Sequence, residues 1–170
     1  MDLLLVTQLL NLSSKTVMRE FDYSLDYQTL DFTEINTRYL YSIGRGEQGV
    51  LLVEPYKTNI CKHWRFKDEA TAVKSSAKIY EIFCEFKRNK DFIGMDMARK
   101  FLEMGFICAR RYANHSDGKK YGKDRNVLPQ VVDALTNEKA KAAQIFKKVR
   151  DKSAYDPVYQ QMRKDWRKNE

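Results

Sequence analysis

RYLYSIGRGEQGVLLVEPYKTNICKHWRF, residues 38–66, decides how this chain is read. It holds three short runs rich in β-branched and aromatic residues, 38–43, 49–54 and 60–66, and that is the composition of strands. The linkers between them, GRGEQ and PYKTN, have the length and the Gly, Pro and Asn chemistry of antiparallel hairpin loops. The stretch therefore predicts a small three-stranded antiparallel sheet. With helical patterns downstream, the fold class expected is α+β, the sheet packed against helices.

Downstream, Asp68 is placed to N-cap a helix from Glu69 to about Lys90, with Val73, Ala77, Tyr80 and Cys84 on one stripe. Asp91 caps a shorter helix, FIGMDMARKFLEM, that Gly105 stops, with Phe92, Met95, Ala98 and Leu102 on its apolar face. Residues 106–115 read as a third helix exposing Arg110, Arg111 and Asn114, followed by a basic loop, SDGKKYGKD. From Asn137 the pattern gives two helices broken near Pro157. Upstream, FDYSLDYQTLDF at 21–32 interleaves rings with acids and reads as an extended arm, rings buried and carboxylates wet. The start, MDLLLVTQLLNLSS, is too short to span a bilayer and carries an acid where a signal peptide wants basic residues. It is read as a helical turn, or as an extension upstream of a chain beginning at Met18. The expected organisation is an N-terminal extension (1–20), an α+β core domain (21–135) and a C-terminal helical segment (136–170).

The formal net charge is +8, and its distribution is uneven. Residues 1–54 carry four basic and eight acidic side chains, against twenty-seven and fifteen in 55–170, so the positive field belongs to the last two thirds. Three cysteines at wide spacing frame neither a zinc site nor a disulfide scaffold, which suits a reducing cytoplasm. No cofactor motif or metal-ligand pair is present, and no membrane association is expected.

RKFLEMGFICARRYANHSDGKKYGKDR, residues 99–125, concentrates Lys and Arg among aromatic rings. Such a cluster meets something anionic: a nucleic acid, another phosphate-bearing ligand or an acidic partner. Arg111, Asn114 and His115 share a helical face, and Arg with Asn is the pairing that reads guanine and adenine edges. In KHWRFK, strand alternation turns His63, Arg65 and Lys67 one way and Trp64, as a core anchor, the other. The three glycines of GRGEQG suit either a hairpin loop or an anion-binding turn with Arg45 at its lip. The candidate nucleic-acid or phosphate-binding set is Arg45, Lys57, His63, Arg65, Arg99, Arg110, Arg111, Asn114, His115 and Lys119. No catalytic residue is assigned. A buried carboxylate such as Asp96 competes with phosphate for these arginines.

At GRGEQGVLLVEPYK (44–57), HWRFK (63–67), DFIGMDMARKFLEMG (91–105) and ARRYANH (109–115), the chain resembles a small family known as a domain of unknown function, met in bacteria, fungi and bacteriophages. The resemblance runs from Phe21 onward and leaves 1–17 unsupported. The basic loop after His115 is shorter here than in the family's pattern. The family brings no activity, cofactor or catalytic residue, but phage membership implies action in the host cytoplasm. In topology alone, three strands followed by a helix also resemble the sheet-reading DNA-binding domains of plant ethylene-response factors.

The function expected is a basic, phosphate-contacting protein that binds DNA or RNA without chemistry of its own. Two rivals stand beside it. One is a metal-dependent enzyme on a nucleotide or polynucleotide, using Glu47 and Glu54 with Lys57 or His115 assisting. The other is an adaptor of a host protein, using the acidic arm and the basic C-terminal helices.

Overall fold

The structure, a computed structural model, describes residues 19–170, so the expectations for the N-terminal segment up to residue 18 lie outside the described residues. Among the described residues six helices follow one another: α1 (Ile35–Arg38), α2 (Tyr56–Cys61), α3 (Glu69–Arg88), α4 (Phe92–Asn114), α5 (Glu138–Ala154) and α6 (Pro157–Lys168). No sheet is present among the described residues, where the sole β-type pairing is an isolated bridge between Tyr121 and Val127. The expected α+β class is therefore wrong, and the likeness to sheet-reading domains falls with it.

The error has a physical cause. Residues 38–66 run from the last residue of α1 through turns and one short helix, α2, with local hydrogen bonds: Gln48 N–H to Arg45 O, Val50 N–H to Glu47 O, Leu52 N–H to Gly49 O, Lys57 N–H to Val53 O. Gly44, Gly46 and Gly49 all take positive φ (66°, 51° and 76°), which winds the backbone and prevents a ladder. Tyr41 and Ile43 bury two residues apart, but from Val50 onward the buried side chains, Val50, Val53, Tyr56 and Ile60, recur every three or four residues. That is helical spacing, not the period of two a half-buried strand needs. β-branched and aromatic residues are here because this segment lies on the core.

Helix α4 runs through the centre, with Met95, Ala98, Phe101, Leu102 and Ala109 all inaccessible to solvent. It is one helix of 23 residues, where the sequence suggested a stop at Gly105 and a separate helix after it. Gly105 serves close approach instead: a Cβ there would lie 2.4 Å from the ring of Phe146 on α5, and one at Gly94 would lie 2.3 Å from the ring of Phe86 on α3. A mid-helix glycine costs about 1 kcal/mol, and burying a phenylalanine ring returns about 1.5–3 kcal/mol. Helices α3 and α5 thus flank α4 at short range.

The Asp68 and Asp91 caps form as expected, accepting from Thr71 N and Gly94 N. Asn137 caps α5 through Ala140 N, and Asp156 caps α6 through Val158 N and Tyr159 N. The buried face of α3 is Ala72, Ser75, Ser76, Ile79 and Phe83. It is rotated from the expected stripe, and Val73 stays exposed. The arm ahead of α1 wraps the core as its pattern implied. Phe21, Tyr27 and Phe32 are buried, while Asp22, Asp26 and Asp31 stay in solvent and hold turns through Ser24, Gln28 and Thr33.

Candidate nucleic-acid interface

The ten cations and amides proposed from sequence do not form one surface. Arg99 turns inward. Asp96, fully buried on α4, accepts from Tyr41 Oη at 2.5 Å, Tyr159 Oη at 2.6 Å and Arg99 Nε at 3.0 Å. Lys100 Nζ lies 3.7 Å from the same carboxylate, donates to Gln48 O at 2.7 Å and sits over the rings of Phe21 and Tyr41. Arg99 also donates to Gly46 O at 3.2 Å, so the glycine-rich loop is clamped onto α4 from beneath. Burial opposes the charge on Asp96, but Arg99, Lys100 and the two phenols hold its carboxyl well below the usual range. Burial lowers Lys100 to about 8, with Asp96 opposing and Arg99 adding to the shift.

Arg110 and Asn114 are also committed internally. Arg110 donates to Asn114 Oδ1 at 3.1 and 2.8 Å and to Ala134 O, pinning the loop ahead of α5. His115 is buried at the C-terminal end of α4. Arg45 pairs with Glu20, and Lys57 with Glu54 at 3.3 Å. Glu54 also accepts from Thr58 N and Oγ1, at 3.0 and 2.7 Å. Glu47 lies instead near Cys108, where burial raises the thiol, Glu47 reinforces the shift and Arg111 counters it. Among the described residues no group of three or more His, Cys, Asp or Glu side chains converges to hold a metal ion.

His63 and Arg65 do come together. The 62–68 segment is not a strand, but Ser75 of α3 straps it down: Arg65 N–H donates to Ser75 Oγ at 2.9 Å and Ser75 Oγ donates to His63 O at 2.7 Å. Beside the strap lies a groove of about 370 Å³ whose charged and ionisable lining is His63, Arg65, Lys74 and Lys78, with the carboxylate of Asp68 among them. Arg65 also lines a second groove, with Trp64, Phe66, Lys67 and Lys139. The two grooves share Arg65, and together they form a basic strip.

Three rings edge it: Trp64 and Phe66 are 4.9 Å apart, Phe66 and Tyr112 5.9 Å. Trp64 is an anchor, its indole N–H donating to Phe101 O at 3.0 Å. Lys139 lies over both Phe66 and Tyr112 and donates to Phe66 O at 3.1 Å. Its partial burial, with Lys67 nearby, lowers its pKa against the pull of Asp68. Gly118 lies over the ring of Tyr112, where a Cβ would come within 2.7 Å of Cζ, and Lys119 is the next residue in the chain. Acids stand beside the strip as well: Asp68 caps α3, Glu138 pairs with Lys141 at 2.9 Å, and Glu81 pairs with Lys78 of the strip itself at 3.0 Å in an exposed ion pair.

Lys74, Lys78 and Lys139 were missed from sequence. Lys74 and Lys78 are one helical turn apart on α3, a spacing visible in the text. Their meeting with His63 and Arg65 depends on the Ser75 strap.

Fold and site together define a helical protein with a buried carboxylate hub and a basic, ring-edged surface. The chain belongs to the family described as a domain of unknown function, DUF4385, whose pattern matches residues 22–169. No curated protein and no solved structure matches it significantly. Among the described residues no helix is long and apolar enough to cross a membrane.

Proposed function

We propose that this protein binds nucleic acid through the strip formed by His63, Arg65, Lys67, Lys74, Lys78 and Lys139, with Lys119 alongside, as a binding module without chemistry of its own. The observation that carries the reading is that Arg65 lines both grooves, which brings cations from the 62–68 segment, α3 and α5 to neighbouring depressions. Phosphates spaced along a polymer suit cations spaced along a groove. On this reading the protein works in the cytoplasm, the host's if a phage encodes it.

The test is fluorescence anisotropy with labelled DNA and RNA oligonucleotides across a salt series. Six phosphate contacts weaken binding by about two to three orders of magnitude between about 50 and 200 mM salt. The pair Lys74→Ala and Lys78→Ala lowers affinity and flattens the slope by about one for each cation removed. A flat salt response, or a slope unchanged in the double variant, refutes the reading.

An adaptor role is the second reading. It is favoured by an apolar groove of about 600 Å³ between α3 and α5, lined by Val73, Ala77, Ile145, Val149 and Tyr155. Tyr159, by contrast, is fully inside the monomer.

A further inference from the structure

We propose that residues 119–128 form a hairpin arm that enters the major groove of duplex DNA, with Arg125 at its tip meeting the base edges; the proposal rests on the nucleic-acid reading given above. The basic loop after α4 is an ordered excursion. Its two ends are tied to the end of α4, Gly118 N–H donating to His115 O at 2.7 Å and Val131 N–H to Asn114 O at 2.9 Å. Between those ties the two legs bond to each other. Leu128 N–H donates to Lys120 O at 2.8 Å and Gly122 N–H to Asn126 O at 2.9 Å, on either side of the Tyr121–Val127 bridge. Arg125 N–H donates to Gly122 O at 3.0 Å and closes a three-residue loop of Lys123, Asp124 and Arg125. Every residue from 119 to 127 except Gly122 is exposed, so the arm stands in solvent.

Arg125 has a φ of +59°, the left-handed conformation that ends such a loop and that glycine adopts without steric cost. An arginine held there, at the tip of an exposed arm, is strained, and strain of this kind gathers at ligand contacts. No salt bridge among the described residues engages Lys119, Lys120, Lys123 or Arg125. Lys120 lies over the neighbouring Tyr121 ring at 5.4 Å, and Asp117 is occupied with Lys119 N–H at 2.9 Å. Asp124 is the one acid at the tip, and it opposes the cations on either side of it.

The shape of the arm selects the polymer. From Lys120 to Lys123 a leg rises about 10 Å, against a B-form major groove about 8.5 Å deep and about 12 Å wide that admits a two-stranded ribbon. The major groove of duplex RNA is too narrow and deep for side chains to read, and a single strand offers no groove. An arginine's fork matches guanine O6 and N7 in the DNA groove, and lysines behind it meet the flanking phosphates. The arm also starts beside the strip. Gly118 lies over the Tyr112 ring, and the ammonium of Lys139, which lines the second groove, stands 5.8 Å from the centroid of that ring.

The experiment titrates an alternating dG–dC duplex, its RNA counterpart and a single-stranded dT oligomer of equal length against wild-type protein, Arg125→Gly and Asp124→Asn. The alternating sequence presents guanine in every register. The DNA duplex is expected to bind most tightly, and Asp124→Asn should tighten it further. Arg125→Gly relieves the left-handed strain, so it should melt no lower than wild type, yet it should lose about 5- to 150-fold on the DNA duplex, the cost of one bidentate base contact. An arm with a merely structural role would keep its affinity in that variant. A second readout uses intact protein: bound wild type should protect guanine N7, which faces the major groove, from methylation by dimethyl sulfate, and Arg125→Gly should not. Salt-sensitive binding with Arg125→Gly at wild-type affinity, with N7 left reactive, or with RNA or the single strand preferred overturns this proposal and leaves the nucleic-acid reading standing. No binding to any polymer overturns both.

Discussion

Replacing Asp96 by Asn is the sharpest perturbation of this fold, because one carboxylate answers two cations from inside the protein. Asp96 is fully buried, receives both tyrosine hydroxyls and Arg99, and stands 3.7 Å from the Lys100 ammonium. Asparagine keeps the shape and removes the charge, which leaves Arg99 and Lys100 in a low-dielectric site without compensation. Removing one partner of a buried ion pair costs about 3–5 kcal/mol. For a chain of this size that is a fall in Tm of about 6–20 °C, and a large part of the roughly 5–15 kcal/mol that holds a domain folded. The assay is urea and thermal unfolding followed by tryptophan fluorescence, with Trp166 as a local reporter because its indole N–H donates to Tyr41 O at 2.9 Å. The pH dependence has a definite sign. The folded-state pKa of Asp96 is depressed, so its contribution is complete above the unfolded carboxyl value near about 4 and is lost as pH falls through the folded one. The gap between wild type and Asp96→Asn should therefore persist at neutral pH and narrow below about pH 4. A variant that melts within about 2 °C of wild type at pH 7 would refute the reasoning, since 3 kcal/mol corresponds to roughly 6 °C or more.

Lys100 behaves oppositely: its folded value, about 8, lies below the unfolded one near 10.5, so stability rises with pH between those values as the folded state sheds a proton first. Lys100→Met, which keeps an apolar stem between the Phe21 and Tyr41 rings, should be tolerated at neutral pH and should flatten that rise, measured by urea titration from pH 7 to 10.5. Gly105→Ala drives a methyl into the Phe146 ring and should cost about 1–3 kcal/mol by overpacking. The companion Phe146→Leu should recover part of that loss in a double-mutant cycle. Arg110→Met releases Ala134 O and Asn114 and should cost about 1–3 kcal/mol. Amide exchange should accelerate around Val131 and Ala134 while the core of α4 stays protected.

Much of the helical half was legible. Asp68, Asp91 and Pro157 marked helix starts, because a cap is a bond across three residues that the chain makes with itself. The wet acids and buried rings of the 21–32 arm were legible for the same kind of reason. The strands at 38–66 were misread because β-branched and aromatic residues mark burial as well as strand. The 50, 53, 56, 60 spacing that distinguished the two was overridden by composition. Gly105 was misread because a glycine that ends a helix and one that admits a neighbour's ring look alike until the neighbour is known.

By itself, then, the sequence determined the starts of the helices at Glu69, Phe92, Glu138 and Pro157, though not those at Ile35 and Tyr56, together with the basic last two thirds and the buried rings of the arm at 21–32, all of which follow from local bonding and composition. Only the tertiary structure decided which cations face water. Arg99 and Arg65 are the same residue type in equally basic surroundings. One is drawn inward by a carboxylate that two tyrosines, 55 and 63 residues away from it, also share; the other stays exposed, its backbone N–H held by a serine ten residues on and its guanidinium donating to the neighbouring Trp64 carbonyl. An arginine's partner is set by which charge the packed chain brings within hydrogen-bonding reach, and that depends on contacts between distant segments that no local pattern contains.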